Sequence, residues 1–136
     1  MSEKITLEMT REQARAVMNA TELPARLEIG QFNRITEQMM DRFISDDDKF
    51  DGTRRDIVNG LLKQACRTMF GVDAYGWPDV GEKSLTHERC WAVYATIRHA
   101  LAWHDQPEGN PWSVAFDKPM GYGEKMPVCR IEEDGT

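Results

Sequence analysis

The sequence is poor in the features that mark membrane, secreted or disulfide-rich proteins. Its 136 residues contain no apolar run close to the roughly 20 residues that a membrane-spanning helix needs. The first residues, MSEKITLEM, lack the apolar core of a signal peptide, so we expect a cytoplasmic protein. The three cysteines lie far apart in the chain, which favours buried thiols over a disulfide framework or a zinc site.

Motifs for metal binding and catalysis are also missing. The three histidines do not fall at ligand spacing on one helix face, and no H-E-x-x-H or C-x-x-C occurs. No glycine-rich phosphate loop and no G-x-S-x-G nucleophile motif is present. We therefore expect no metal, no cofactor and no catalytic residue, and predict that the protein is not an enzyme.

The charge of the chain restricts its partners. A net charge of −6 disfavours binding to long DNA or RNA, because such binding needs several cations to neutralise phosphates. A small anionic ligand is compatible with this charge, since two or three well-placed arginines are enough to hold it.

Helical periodicity is the strongest pattern that is present. Residues 86–104 predict a central helix that begins at Thr86 as its N-cap. Its expected buried stripe recurs at three- and four-residue steps and consists of Cys90, Val93, Tyr94, Ile97 and Leu101. A second stripe on the same helix carries Trp91 and Arg98. An aromatic ring and a cation on one face are suited to contact a ligand or a partner protein.

Other helices are expected before this one. Thr10 and Gln13 form a capping-box pattern, and Pro24 and Gly30 are expected to divide the following helical stretch into two pieces. Gly71 is the expected stop of a further helix. The predicted inward residues of that further helix are Ile57, Leu61, Ala65 and Met69.

Short strands complete the predicted fold. Residues 4–9 alternate apolar and polar side chains, and residues 112–117 and 128–131 have strand-like patterns. The sequence therefore predicts an α+β fold: three to four helices packed with a small antiparallel sheet formed by the N- and C-terminal strands. At this length, residues 1–136 are expected to form a single domain.

Tryptophan and arginine provide the remaining functional signal. Aromatic rings stack on nucleotide bases and arginine holds phosphate, but the same residues also dominate protein interfaces. Core packing is the more frequent role of a residue such as Trp91, and an ordinary turn is the more frequent role of the segment with Tyr75 and Trp77. Arg98 could instead cap the C-terminal half of its helix. The predicted ligand-binding residues are Arg26, Gln31, Tyr75, Trp77, Trp91 and Arg98.

Two stretches resemble small proteins of unassigned role encoded by tailed bacteriophages. The first is E-L-x-A-R-x-x-x-G-Q-F at residues 22–32, with T-x-x-Q-A upstream. The second is W-x-x-Y-x-x-I-R-H-A-L-A-W at residues 91–103, followed by P-E-G and V-x-F-D-x-P. This group of small phage proteins in turn resembles the phage anti-Thoeris sponge proteins. Members of that family sequester cyclic ADP-ribose-type immune signals without cleaving them, and some also bind cyclic oligonucleotides.

The resemblance implies a phage anti-defence protein acting in the host cytoplasm. Under this hypothesis it binds and sequesters a cyclic nucleotide, with Arg26 and Arg98 on phosphate and Trp77 or Trp91 on the base. It would also be a homo-oligomer, as members of the family are. The alternative hypothesis is a phage inhibitor that acts by direct binding to a host protein.

Overall fold

A computed structural model describes residues 3–43, 52–105 and 125–133 of the chain. These residues form four helices: α1 (Arg11–Glu28), α2 (Asn33–Phe43), α3 (Gly52–Phe70) and α4 (Leu85–Asp105). No helix in this described part is long and apolar enough to cross a membrane.

The predicted α+β class is wrong for this described part, which holds helices and no β-strand. The alternating segment at residues 4–9 is extended and exposed instead of forming a half-buried strand, and residues 128–131 also form no strand. Alternation marks a segment able to form a strand, but a strand also needs a neighbouring backbone to bond to. Residues 112–117, the third predicted strand, lie outside the described residues.

The chain divides into two compact units. The terminal unit comprises Met1–Glu22 with Arg89–Thr136, and the central unit comprises Leu23–Glu88. The single domain expected from the chain length stays a prediction.

In the terminal unit, local hydrogen bonds start α1 as predicted. The Gln13 backbone N–H donates to Thr10 Oγ1 at 3.1 Å, and Gln13 Oε1 accepts from the Thr10 backbone N–H at 2.9 Å. The capping box is therefore confirmed. The same helix end is tied to the end of α4 by an ion pair of 2.9 Å between Arg11 Nη1 and Asp105 Oδ1.

Helix α4 provides most of the buried apolar surface described in this unit. Ile97 and Leu101 are buried, as the periodicity predicts. Ala92 and Thr96 are buried beside them, whereas Cys90, Val93 and Tyr94 are only half-buried. The central helix is confirmed within one residue at each end. Its buried face, however, includes the small residues Ala92 and Thr96 and is therefore turned slightly about the helix axis from the predicted stripe.

The core of the central unit lies where α2 packs against α3. Phe32 and Phe70 meet edge to face with ring centroids 5.9 Å apart, and Cys66 is buried and donates from Sγ to the Gly30 carbonyl at 3.5 Å. Cys66 is therefore the buried thiol that was predicted, and burial raises the pKa of this thiol, which lowers its reactivity.

The prediction for the inward face of α3 is wrong. The structure exposes Ile57, Leu61, Ala65 and Met69, and the sheltered residues of the helix are instead Val58, Asn59, Leu62, Cys66 and Phe70. Both sets have helical spacing, so periodicity alone could not distinguish them. Packing against α2 and against Gly30 and Phe32 just before it selects the face that carries Cys66 and Phe70.

Candidate functional site

The first candidate residues lie at the corner between α1 and α2. Helix α1 continues through Pro24 to Glu28, and the chain turns at Gly30, whose φ of 84° is in the left-handed region. The Gln31 backbone N–H donates to the Arg26 carbonyl at 2.9 Å, and Arg26 Nη1 donates to Gln31 Oε1 at 2.8 Å. Arg26 and Gln31 are therefore paired across one turn.

The second candidate segment is the aromatic turn, residues 72–78. Asp73 organises it: its Oδ1 accepts from the backbone N–H of Tyr75 at 2.8 Å and of Trp77 at 3.0 Å. Its own backbone N–H donates to the Trp77 carbonyl at 2.8 Å, next to a backbone bridge between Val72 and Pro78. This turn presents Tyr75 and Trp77 with 87% and 69% of their surface exposed.

The aromatic turn packs directly against the Gly30 corner. A Cβ atom at Gly30 would lie 3.3 Å from Pro78 Cβ and 3.4 Å from Val80 Cγ1. The two segments that carry Arg26, Gln31, Tyr75 and Trp77 are therefore in contact within the central unit.

A polar cluster that the sequence analysis missed holds the other end of this loop. Glu28 Oε1 accepts from the Ser84 backbone N–H at 2.8 Å, and Glu28 Oε2 accepts from Ser84 Oγ at 2.9 Å. Ser84 Oγ also accepts from the backbone N–H of His87 at 3.1 Å, so Ser84 is the N-cap of α4 and the predicted cap Thr86 is wrong. Ser84 is itself a preferred N-cap residue and was a visible signal for the cap, but nothing local pointed to Glu28.

The neighbours of Glu28 in this cluster favour its ionised form. The Ser84 side-chain hydrogen bond, helped by its backbone N–H and by nearby His87 and Lys83, lowers the pKa of Glu28 against the opposing effect of burial. His87 is buried with Nδ1 3.6 Å from Glu28 Oε2. The ionised Glu28 carboxylate thus joins the end of α1 to the start of α4.

The remaining two candidates lie in the terminal unit, on one side of α4. Trp91 and Tyr94 pack edge to face with ring centroids 5.4 Å apart, and the Arg98 guanidinium lies 5.9 Å from the Tyr94 ring centroid. We call these three residues the α4 ridge. Tyr94 was predicted as core, although its spacing from Trp91 and Arg98 already placed it on their side.

These positions supply side chains that can stack on a ring or donate hydrogen bonds. The described side chains offer aromatic faces, guanidinium donors and an amide, which suit a planar base and an anion. Among the residues that the structure describes, no group of three histidine, cysteine or acidic side chains is placed to hold a metal ion. No protein-family model, curated protein or solved structure matches this chain.

Proposed function

We propose that this protein binds and sequesters a small cyclic nucleotide of the cyclic ADP-ribose type without cleaving it. The observation that carries the proposal is the contact between the Gly30 corner and the aromatic turn. Through this contact, the segment that carries Arg26 touches the turn that exposes Tyr75 and Trp77, and local hydrogen bonds fix the conformation of both segments. A site fixed before binding loses less entropy when the ligand arrives.

The proposed roles follow from the chemistry of each side chain. A base stacked on Trp77 or Tyr75 would contribute about 1–3 kcal/mol per stacking contact. Arg26 would donate to a phosphate, and Gln31 offers both donor and acceptor to a base edge or ribose. The bond between Arg26 and Gln31 orients the guanidinium before the ligand binds.

The α4 ridge is the second part of the proposal. Trp91 and Arg98 are both half-buried, so each exposes part of its side chain. Arg98 would donate to a phosphate and Trp91 would stack on a base, the same two interactions as those proposed for the central unit. Tyr94 contacts both side chains and would hold them in place. A cyclic oligonucleotide, with more than one base and phosphate, is the ligand class that would use such a second set.

The biological setting of the proposal comes from the phage-protein resemblance. Sequestration of an immune signal in the host cytoplasm, by a homo-oligomeric anti-defence protein, is the role that this resemblance implies. Binding without cleavage also fits the residue types proposed here, because arginine, glutamine and tryptophan are not among the side chains that usually act as nucleophiles or as general acids and bases.

The test is binding followed by recovery of the ligand. Purified protein is mixed with cyclic ADP-ribose-type signals and cyclic oligonucleotides, free ligand is measured, and the protein is then heated and the released ligand identified by mass spectrometry. We expect depletion of one signal and its intact recovery. Recovery of a cleaved product would identify an enzyme, and the absence of depletion across the panel would refute the proposal.

Variants then assign the site. Arg26→Ala and Trp77→Ala are expected to weaken binding at least about tenfold, the loss of one charge-assisted contact or one stacked base. Trp77→Phe retains a ring and should bind more tightly than Trp77→Ala. Arg67→Ala removes an exposed arginine of α3 and serves as the matched control for Arg26→Ala. Arg98→Ala reports separately on the α4 ridge.

A second candidate function is direct inhibition of a host protein. The observation that favours it is the exposure of Tyr75 and Trp77 on a rigid turn, since exposed aromatics are frequent binding hot spots. It predicts one stoichiometric host protein retained by the wild-type chain and lost in a Tyr75→Ala, Trp77→Ala double variant. Sequestration of a nucleotide predicts no such partner.

A further inference from the structure

The segment before α1 has a backbone without a hydrogen-bond partner among the residues that the structure describes. Residues 4–9 are extended, and their backbone N–H and C=O groups make no hydrogen bond within the part of the chain that the structure describes. Ile5 and Leu7 expose 82% and 73% of their surface. An extended, unpaired segment with exposed apolar side chains is a ready edge for another strand.

The sequence of this segment complements itself when two copies run antiparallel. With Thr6 opposite Thr6 of the second copy, Lys4 faces Glu8, and Glu8 faces Lys4. In the same register Ile5 faces Leu7 on the other side of the pair, and Leu7 faces Ile5. Opposite charges, threonine pairs and apolar pairs are the cross-strand combinations that stabilise antiparallel strands.

A parallel arrangement of the same two segments would place like charges opposite each other. In register, it would place Lys4 against Lys4 and Glu8 against Glu8, and like charges directly opposite each other are destabilising. The charge pattern therefore selects both the antiparallel direction and the register centred on Thr6.

We infer that residues 4–8 are a dimerisation strand, and that its partner is the same segment of a second copy of this chain. The pairing is between two chains and adds no sheet within either of them. It is independent of the nucleotide proposed above, because none of the proposed ligand residues belongs to this segment.

The strength of this association is limited by its size. Two short strands bury little surface, and an isolated two-stranded pair is marginally stable in water. The dimer is therefore reversible, and its population rises with protein concentration and falls with added salt as the exposed charge pairs are screened.

Charge-swap variants test the register directly. Lys4→Glu places Glu opposite Glu twice in the homodimer, and Glu8→Lys places Lys opposite Lys twice. Each single variant is expected to weaken dimerisation about tenfold or more in sedimentation equilibrium. The double variant Lys4→Glu, Glu8→Lys restores opposite charges in the antiparallel register and should dimerise like the wild type.

Mixing the two single variants gives a second, independent readout. A chain with glutamate at both positions complements a chain with lysine at both positions, so native mass spectrometry should detect a heterodimer from two weakly associating proteins. Circular dichroism spectra that match the wild type show that the helices are intact. Hydrogen exchange at the amides of residues 4–8 should slow as wild-type concentration rises.

Three results would overturn the inference. The first is a wild-type protein that stays monomeric throughout the concentration range at low salt. The second is a dimer that both single variants leave unchanged, because association would then use another surface. The third is concentration-independent protection of the amides of residues 4–8, which would mean that the segment pairs within its own chain.

Discussion

At the scale of the residue, Gly30 decides whether the candidate site can form. Its positive φ suits glycine, and its missing side chain leaves room for Pro78 and Val80 of the loop that carries the aromatic turn. Two separate requirements, backbone conformation and space, therefore meet at one position.

These two requirements can be separated by mutation. Gly71 also has a positive φ, of 73°, but nothing lies within 4 Å of a Cβ placed there. Gly71→Ala should cost about 1 kcal/mol of unfolding free energy through backbone strain. Gly30→Ala adds crowding against Pro78 and should cost about 1 kcal/mol more, measured by urea denaturation. Equal losses of unfolding free energy in the two variants would show that a side chain at position 30 is not crowded by Pro78 and Val80.

The Glu28 carboxylate makes the stability of the central unit depend on pH. Its folded-state pKa is lowered chiefly by the Ser84 hydroxyl, so its contribution is complete above the unfolded pKa of about 4.3. That contribution is lost as pH falls through the lower, folded-state pKa. Glu28→Gln should therefore cost about 1 kcal/mol at pH 6, and the cost should shrink steadily below pH 4.3.

A matched substitution shows whether this effect belongs to the cluster. Glu82 is an exposed carboxylate of the same loop and makes no contact with Ser84 among the described hydrogen bonds. Chemical denaturation of Glu82→Gln should give a stability close to that of the wild type at each pH. A Glu28→Gln cost that stays constant down to pH 3 would contradict the role of the ionised carboxylate.

At the scale of the element, helix positions were more predictable than helix faces. The capping box before α1, the stop at Gly71 and the extent of α4 all follow from hydrogen bonds and conformational preferences within a few residues. Which side of α3 is buried depends on α2, a separate element, and the periodic pattern allowed two answers.

Neighbouring leucines of α3 test the corrected face. Leu61 exposes 61% of its surface, whereas Leu62 is half-buried on the side of Cys66. Leu61→Ala should change the unfolding free energy by no more than about 0.5 kcal/mol, the usual effect of a surface substitution. Leu62→Ala should cost about 1–2 kcal/mol, since part of a packed side chain is removed. A larger loss of stability for Leu61→Ala than for Leu62→Ala in thermal or urea unfolding would instead support the buried face first predicted from the sequence.

At the scale of the whole molecule, the net negative charge should affect the binding of long polyanions more than the binding of small anionic ligands. A net charge of −6 repels a long polyanion, whereas a small ligand meets chiefly the arginine beside it. We expect no retardation of a DNA duplex in a gel at physiological salt. Calorimetry of the proposed cyclic nucleotide should show affinity changing by only roughly threefold between low and physiological salt. Tight duplex binding would contradict this account of the charge.

The sequence by itself determined the capped start of α1, the reversal at Gly30, the end of α3 at Gly71 and the residue types available for binding. These properties depend on interactions within a few residues, which any conformation of the chain brings together. Only the tertiary structure decided that residues 4–9 pair with no strand in the described part of the chain, that Cys66 marks the buried face of α3 and that Pro78 packs on Gly30. Each of those outcomes depends on contact between segments far apart in the chain, and such contact follows from packing.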